Sequence, residues 1–218
     1  MTTQTTTTHL ADPTRYHIRP ATPADFPSMT TTFCASFNAP FWLHLIPPDA
    51  AHHAWWNEAF ALSHANPTDR QFIVEDLHND RAIVAFSRWM LPQEDGNQER
   101  LWPEMREGEW DMELVGAFFG GMEENRRVVM GERKHWMCEL LGTHEAHQNR
   151  GIAASLLKWG TDQADQEGLE TYLDGSAKGQ PYYIKRHGFK AEKDIPIPDR
   201  EEYGSYKYVS MVRPPQKG

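Results

Sequence analysis

The sequence predicts an α/β fold: a mixed, twisted sheet with helices on both faces. Two observations carry this. In the C-terminal third, a strand pattern over 136–141 is followed by a helix pattern over 151–167 and a strand pattern over 169–173. A strand–helix–strand unit makes its two strands parallel and its crossover right-handed. Earlier, two runs rich in Ile, Val and Phe, 71–77 and 82–91, flank the turn His78-Asn79-Asp80 and read as an antiparallel hairpin.

In chain order, residues 1–13 form a Thr-rich tail of low complexity, expected to be mobile, and 214–218 form a second tail. Residues 14–213 are expected to form one domain. It opens with a short strand at 16–19. Thr22-Pro23-Ala24-Asp25 supplies a helix cap, a proline for the first position and a capping carboxylate. Phe26, Met29, Phe33 and Phe37 then recur at helical spacing. A second helix over 53–65 stops at Asn66-Pro67. After the hairpin, 93–108 reads as a loop, and 111–127 as a helix with Met112, Val115, Phe119 and Met122 on one face. Gly168 suits the end of the 151–167 helix. A last helix over 176–187 precedes Gly188, and strands over 189–197 and 206–212 close the chain.

Composition narrows the function classes. The 218 residues carry a net charge of −9, which argues against general nucleic-acid binding, since phosphate affinity needs clustered Lys and Arg. Aromatics at 11% argue against a disordered chain. Two cysteines, Cys34 and Cys138, make no disulfide framework. The N-terminus has no basic start and no apolar run, and no apolar stretch approaches the ~20 residues of a membrane span. A cytoplasmic protein without membrane or nucleic-acid partners, monomer or homodimer, is expected.

The most informative segment is Gln148-Asn149-Arg150-Gly151-Ile152-Ala153, between a strand and a helix. Gly151 and the small Ala153 let a ligand approach the backbone, and successive N–H groups at a helix N-terminus bind a pyrophosphate without a lysine. Arg150 can add a charge-assisted contact. The plainer reading is an ordinary loop-to-helix junction. This stretch resembles the Q/R-x-x-G-x-G/A motif of the GCN5-related N-acetyltransferases (GNAT family). The run from His135 to His144 stands where the family's fourth strand should, and Ser155-Leu156-Leu157-Lys158-Trp159-Gly160 where its third helix should. Tyr182-Tyr183 before His187-Gly188-Phe189 resembles the family's Tyr near a Gly-Phe pair, although Tyr183 stands one residue further from Gly188 than usual. The likeness is specific over about 131–190 and looks most like fungal small-molecule members.

The resemblance implies a sheet of six to seven strands with a V-shaped splay between strands four and five. It implies acetyl-CoA as donor, held by Leu141, Gly142, Thr143, Gln148, Asn149, Arg150, Gly151, Ile152, Ala153, Ala154 and Ser155. Asp174 and Ser176 would end the fifth strand beside the cofactor. The reaction would be direct transfer to a primary amine of a small molecule in a ternary complex. A protein N-terminal or lysine acetyltransferase and a non-catalytic acyl-CoA-binding module remain the alternatives. An amine with a pKa near 10.4 must lose a proton, the oxyanion needs donors, and the departing thiolate benefits from an acid.

Glu139, on the family's fourth-strand carboxylate position, is the candidate base or else a structural carboxylate. Strand alternation puts it on a face with Met137 and Leu141, opposite Trp136, Cys138 and Leu140. The backbone N–H near Leu141 is the candidate oxyanion donor, and Gly142 fits a bulge or close ligand approach. Tyr183, or Tyr182 in its place, is the candidate acid; either reads equally as helix packing. Phe41 and Trp42 read as core or as acceptor contacts. Cys138 reads as a buried apolar thiol. His144-Glu145-Ala146-His147 lacks the pattern of a metal site, and no metal is expected. Residues 91–130 hold four basic and ten acidic side chains. This acidic insertion, 93–130, lies between the third and fourth strands. If it overhangs the acceptor, its field favours a cationic amine; otherwise it is a solvated surface.

Overall fold

The computed structural model describes residues 10–97 and 100–216. Most of the Thr-rich tail, two residues of the acidic insertion and the last two residues of the chain lie outside these. The described residues form one sheet of seven strands: β1 (Tyr16–Pro20), β2 (Asp69–Asp76), β3 (Ala82–Met90), β4 (His135–Thr143), β5 (Glu170–Ser176), β6 (Lys190–Ile195) and β7 (Tyr208–Arg213). Their order is β1-β2-β3-β4-β5-β7-β6. Only β4 and β5 pair in parallel; every other neighbouring pair is antiparallel.

The helices are α1 (Phe26–Ser36), α2 (Pro40–Leu45), α3 (Ala50–Ala65), α4 (Met112–Val115), α5 (Gly121–Met130), α6 (Ile152–Glu167) and α7 (Gln180–His187). The cap before α1 forms as expected: the Thr22 N–H donates to the Asp25 carboxylate at 2.7 Å, and Arg19 pairs with that same carboxylate. Short α2 was not anticipated. Asn66 closes α3, and Gly168 closes α6 at a φ of 68°. Ser176 belongs to β5, so the last helix begins at Gln180 and not at 176.

On one face of the sheet, α1 to α4 bury Phe33, Trp56, Phe86, Phe118 and their neighbours. On the other, α6 packs Leu157 and Ala164 against Trp89, Trp136 and Cys138. The segment expected as one helix over 111–127 is interrupted. A π-helical turn at Gly116–Gly120 separates α4 from α5. Widening the turn rotates the apolar stripe. Leu114, Val115, Phe118 and Met122 face the core, while Met112, expected on that face, is 41% exposed.

Two local features of β4 shape the site. Arg88 pairs with Leu140 and Trp89 with Cys138, so Glu139 is the extra residue of a β-bulge. The bulge shifts the phase of alternation. Leu141 therefore packs with Trp136 and Cys138 against α6, and Leu140 with the opposite cluster. The expected grouping of Glu139 with Leu141 is corrected accordingly. The second feature is the end of β4–β5 pairing. The parallel register runs from His135↔Glu170 to Cys138↔Leu173 and stops. Beyond it, β4 stays with β3 and β5 with β7, so the two strands part in a V.

Tight packing of α6 on the sheet gives a stability test. A Cβ built on Gly160 would lie 2.3 Å from the Trp89 ring, which is fully buried. Overpacking a dense core costs about 1–3 kcal/mol. Gly160→Ala is expected to lower the midpoint of urea unfolding correspondingly; an unchanged midpoint contradicts this packing.

Candidate functional site

The parting of β4 and β5 opens two adjoining cavities that share lining residues. The larger is a cleft of about 1100 Å³. One wall is the end of β4 and the start of α6: Leu141, Gly142, Thr143, Gln148, Asn149, Gly151, Ile152, Ala153 and Ala154. Asn149 and Gly151 adopt left-handed φ values of 61° and 77°. The chain so turned brings the N-terminus of a 16-residue helix to the cleft, with no side chain capping it. Its leading N–H groups and the helix dipole make an anion site. The opposite wall holds Ser176, Lys178, Tyr182, Tyr183, Arg186 and Lys207. Among the described residues no Asp or Glu lines this cleft, although the chain is strongly acidic.

The cleft thus suits a long ligand with anionic groups at the α6 end. The Thr143 hydroxyl in its wall is buried without a hydrogen-bond partner, as a polar group awaiting a ligand would be. These residues fit coenzyme A, with phosphate groups at the helix N-terminus and cations opposite.

Several expected cofactor residues are placed otherwise. Arg150 turns away: it donates to the Tyr16 hydroxyl at 3.3 Å and to the Ala146 carbonyl at 3.2 Å. Ser155 accepts the Ala11 N–H and donates to the Gly151 carbonyl, so its hydroxyl serves the fold. Gly142 lines the cleft, but its lack of a side chain answers to packing: a Cβ there would lie 2.6 Å from the Phe86 ring.

The smaller cavity, about 120 Å³, lies on the α1–α3 side of the V. Phe37, Trp42, Leu141, Ser176, Tyr183 and Tyr208 border both spaces. Trp102, Phe118 and Phe119, from the segment between β3 and β4, join Trp56 in its wall. The charged groups among the described residues are Arg100, Glu139 and Asp174. Trp42 reaches this wall and donates its indole N–H to the Tyr206 hydroxyl at 2.9 Å. Phe41 does not line either cavity. It is 1% exposed and stacks on Tyr206 at 3.9 Å, so it supports the wall from behind. The acidic segment meets the cavity through aromatics and Arg100. Three of its carboxylates pair with arginines away from the cavity, Glu104 with Arg106, Glu113 with Arg200 and Glu124 with Arg127, while Glu123 acts on Arg100.

The Glu139 side chain is buried between two guanidinium groups: Arg100 hydrogen-bonds Oε1, and Arg88 forms an ion pair with Oε2 at 2.7 Å without an aligned hydrogen bond. Arg88 continues to Asp69 at 3.1 Å, and both guanidiniums lie against the Trp102 ring. Burial by itself raises the Glu139 pKa; Arg100 and Arg88 outweigh it and hold the carboxyl below its ordinary value. A carboxylate held this way is a weaker proton acceptor than a free one, as a structural carboxylate would be. Neither Arg88 nor Arg100 was visible from sequence as a site residue, because their partners, Asp69 and Glu139, are distant in chain order.

Tyr183 borders both spaces, its ring seated against Gly175 and Gly179. Burial raises its pKa and keeps the phenol protonated. Tyr182 lines only the outer cleft and is 37% exposed. Burial likewise pushes the Cys138 thiol far above its usual value. Among the described residues no group of three or more His, Cys, Asp or Glu is placed to hold a metal ion, and no helix is long and apolar enough to cross a membrane.

Comparison with known proteins agrees with this geometry. No curated protein sequence matches the chain. Among solved structures, the fold is similar to a histone acetyltransferase HPA2 and related acetyltransferase from Corynebacterium glutamicum: TM-score 0.59, 20% identity, 94% of this chain and 98% of that one covered. It is also similar to the C-terminal condensation domain of Ebony in complex with beta-alanyl-dopamine: TM-score 0.65, 10% identity, covering 92% and 99%. An agmatine N-acetyltransferase mutant matches with TM-score 0.60 and 14% identity, covering 91% and 98%. At these identities the likeness is one of fold. The family model for the acetyltransferase (GNAT) family matches residues 39–189, more than half the sequence. With the parallel β4–β5 pair and the uncapped α6 N-terminus in place, the chain belongs to the GNAT family of acetyltransferases.

Proposed function

We propose that this protein transfers an acetyl group from acetyl-CoA to a primary amine of a small molecule, directly within a ternary complex. The observation that carries the reading is the meeting of two cavities at the V, with Tyr183 on the border of both. Bound acetyl-CoA supplies the thioester acyl group. The α6 N-terminus with Lys178, Arg186 and Lys207 binds its anionic portion, and the Thr143 hydroxyl and the β4 edge receive its amide-bearing arm.

The inner cavity suits a small acceptor with an apolar stem, since Trp42, Trp56, Trp102, Phe118 and Phe119 form its wall. The backbone N–H at Leu141, beside the bulge, donates to the developing oxyanion. Tyr183 gives a proton to the departing sulfur. The raised pKa of Cys138 supports direct transfer, because a thiol kept protonated is a poor nucleophile.

The reading is tested by release of coenzyme A thiol from acetyl-CoA over a panel of small amines, with peptides bearing a free N-terminus or lysine alongside. Release with small amines and not with peptides is expected; none with any acceptor contradicts it. Lys178→Glu and Lys207→Glu should each weaken coenzyme A binding about tenfold in titration calorimetry, the worth of one charge-assisted contact. Equal affinity for the variants places the anion elsewhere. Tyr183→Phe should lower kcat by about 10- to 100-fold at near-constant acetyl-CoA affinity, while Tyr182→Phe leaves kcat near the parent value. The reverse pattern assigns the acid to Tyr182.

A further inference from the structure

We infer that Asp174, and not Glu139, is the base that takes the proton from the incoming ammonium; the inference rests on the acetyl-transfer reading above. Asp174 lies in β5 immediately after Leu173, the last residue paired with β4. At that point the strand has left β4 and its side chain borders the inner cavity together with Tyr183. Leu173 belongs to the α6-side core, so alternation turns Asp174 toward the acceptor side.

Its partners distinguish it from Glu139. One oxygen, Oδ1, accepts the Tyr172 hydroxyl at 2.8 Å and the Ser210 hydroxyl at 2.7 Å. Both contacts fall on one oxygen, and they orient the group with Oδ2 as its second acceptor atom. Glu139, by contrast, has a guanidinium at ion-pair distance from each oxygen, although only Oε1 accepts a hydrogen bond. Burial raises the Asp174 carboxyl to about 6, a shift moderated by the Ser210 and Tyr172 hydroxyls and then by Arg100 and Arg126. Tyr172 and Ser210 thus face it from β5 and β7, and Tyr208 also from β7. Glu139 and Cys138 on β4, Tyr183 on α7, Arg126 on α5 and Arg100 are the other titratable groups around it among the described residues. A carboxylate with a pKa near 6 is ionised at neutral pH and still a useful acceptor.

The protons balance. An ammonium R–NH3+ passes one proton to Asp174, which returns it to solvent. The nitrogen lone pair so exposed adds to the thioester carbonyl to form the N–C bond, and the C–S bond breaks as the resulting oxyanion collapses. The second proton leaves the nitrogen, and the sulfur ends as the thiol, with Tyr183 as the relay. The products are the amide, coenzyme A and one proton in solvent.

The test uses the full chain, acetyl-CoA and 2-phenylethylamine, with the remaining amine panel in parallel. Asp174→Asn keeps an Oδ1 acceptor for Tyr172 and Ser210 and so preserves the fold. It is expected to lower kcat/KM by about 100-fold or more with coenzyme A affinity unchanged. The parent kcat/KM should fall as pH drops through about 6, where the carboxylate is protonated. Ser210→Ala removes a donor that stabilises the ionised form, so it should move that acid limb to higher pH. A merely structural role would not move the limb. Independently of turnover, carbon-13 aspartate NMR should show one carboxyl titrating near pH 6 that is missing from Asp174→Asn. Turnover that survives Asp174→Asn with the same acid limb, or aspartates that all titrate below about pH 5, nearer the ordinary carboxylate range, overturns the assignment alone. Absence of turnover with every amine overturns the acetyl-transfer reading and this assignment with it.

Discussion

The site depends on one departure from regular sheet pairing. β4 and β5 run together from His135↔Glu170 to Cys138↔Leu173 and then separate. Each continues with a different neighbour, β3 or β7, so neither becomes an unsupported edge. The bulge at Glu139 falls at the same place and turns the remaining residues of β4 by one step. Past the separation, Leu141 to Thr143 of β4 line the cleft, while Asp174 to Ser176 of β5 line the inner cavity or both spaces. A sheet that stayed zipped would have no room for either.

A buried charge chain holds that opening in shape. Asp69, Arg88, Glu139 and Arg100 alternate in sign from β2 across β3 to β4 and on to the segment after β3. Taking such ions from water is costly, and the chain is tolerable only because each charge meets an opposite one. It therefore fixes geometry more than it adds stability. The guanidiniums also lie against Trp102, which brings the segment after β3 onto the acceptor wall. The same clasp lowers the basicity of Glu139, whereas Asp174 is held by hydroxyls and its carboxyl is raised by burial.

Much of this was legible in sequence where the signals are local. The Thr22–Asp25 cap, the Asn66-Pro67 stop, the Gly168 terminus and the strand–helix–strand unit each arise from a few adjacent residues, and all stand in the structure. The loop at 148–153 likewise announces its turn through Gly151. Features that depend on distant partners or on a broken period escaped. The π-helical turn and the bulge defeat the 3.6- and 2-residue rules that placed Met112 and Leu141. Arg150 looked available for phosphate, but Tyr16, 134 residues earlier, holds it. Arg100 and Glu139, 39 residues apart, become neighbours only after the segment after β3 folds back. No local pattern contains that information.

The net −9 of the chain describes neither cavity. Around the cleft, cations and helix N–H groups face one another and acids are absent among the described residues. Around the inner cavity, the segment richest in acids contributes Trp102, Phe118, Phe119 and Arg100, while three of its carboxylates pair with Arg106, Arg127 and Arg200. The overall acidity is thus a property of the solvated surface. At the acceptor the field comes from a few buried groups, and two of the carboxylates, Glu139 and Asp69, are already matched by guanidiniums. An acceptor entering there meets aromatic surface and one carboxylate without a matched cation at each oxygen, Asp174. On the acetyl-transfer reading proposed above, such surroundings would favour an amine whose charge is single and whose stem is apolar over one carrying several charges, because each further cation would lose its hydration without gaining a partner.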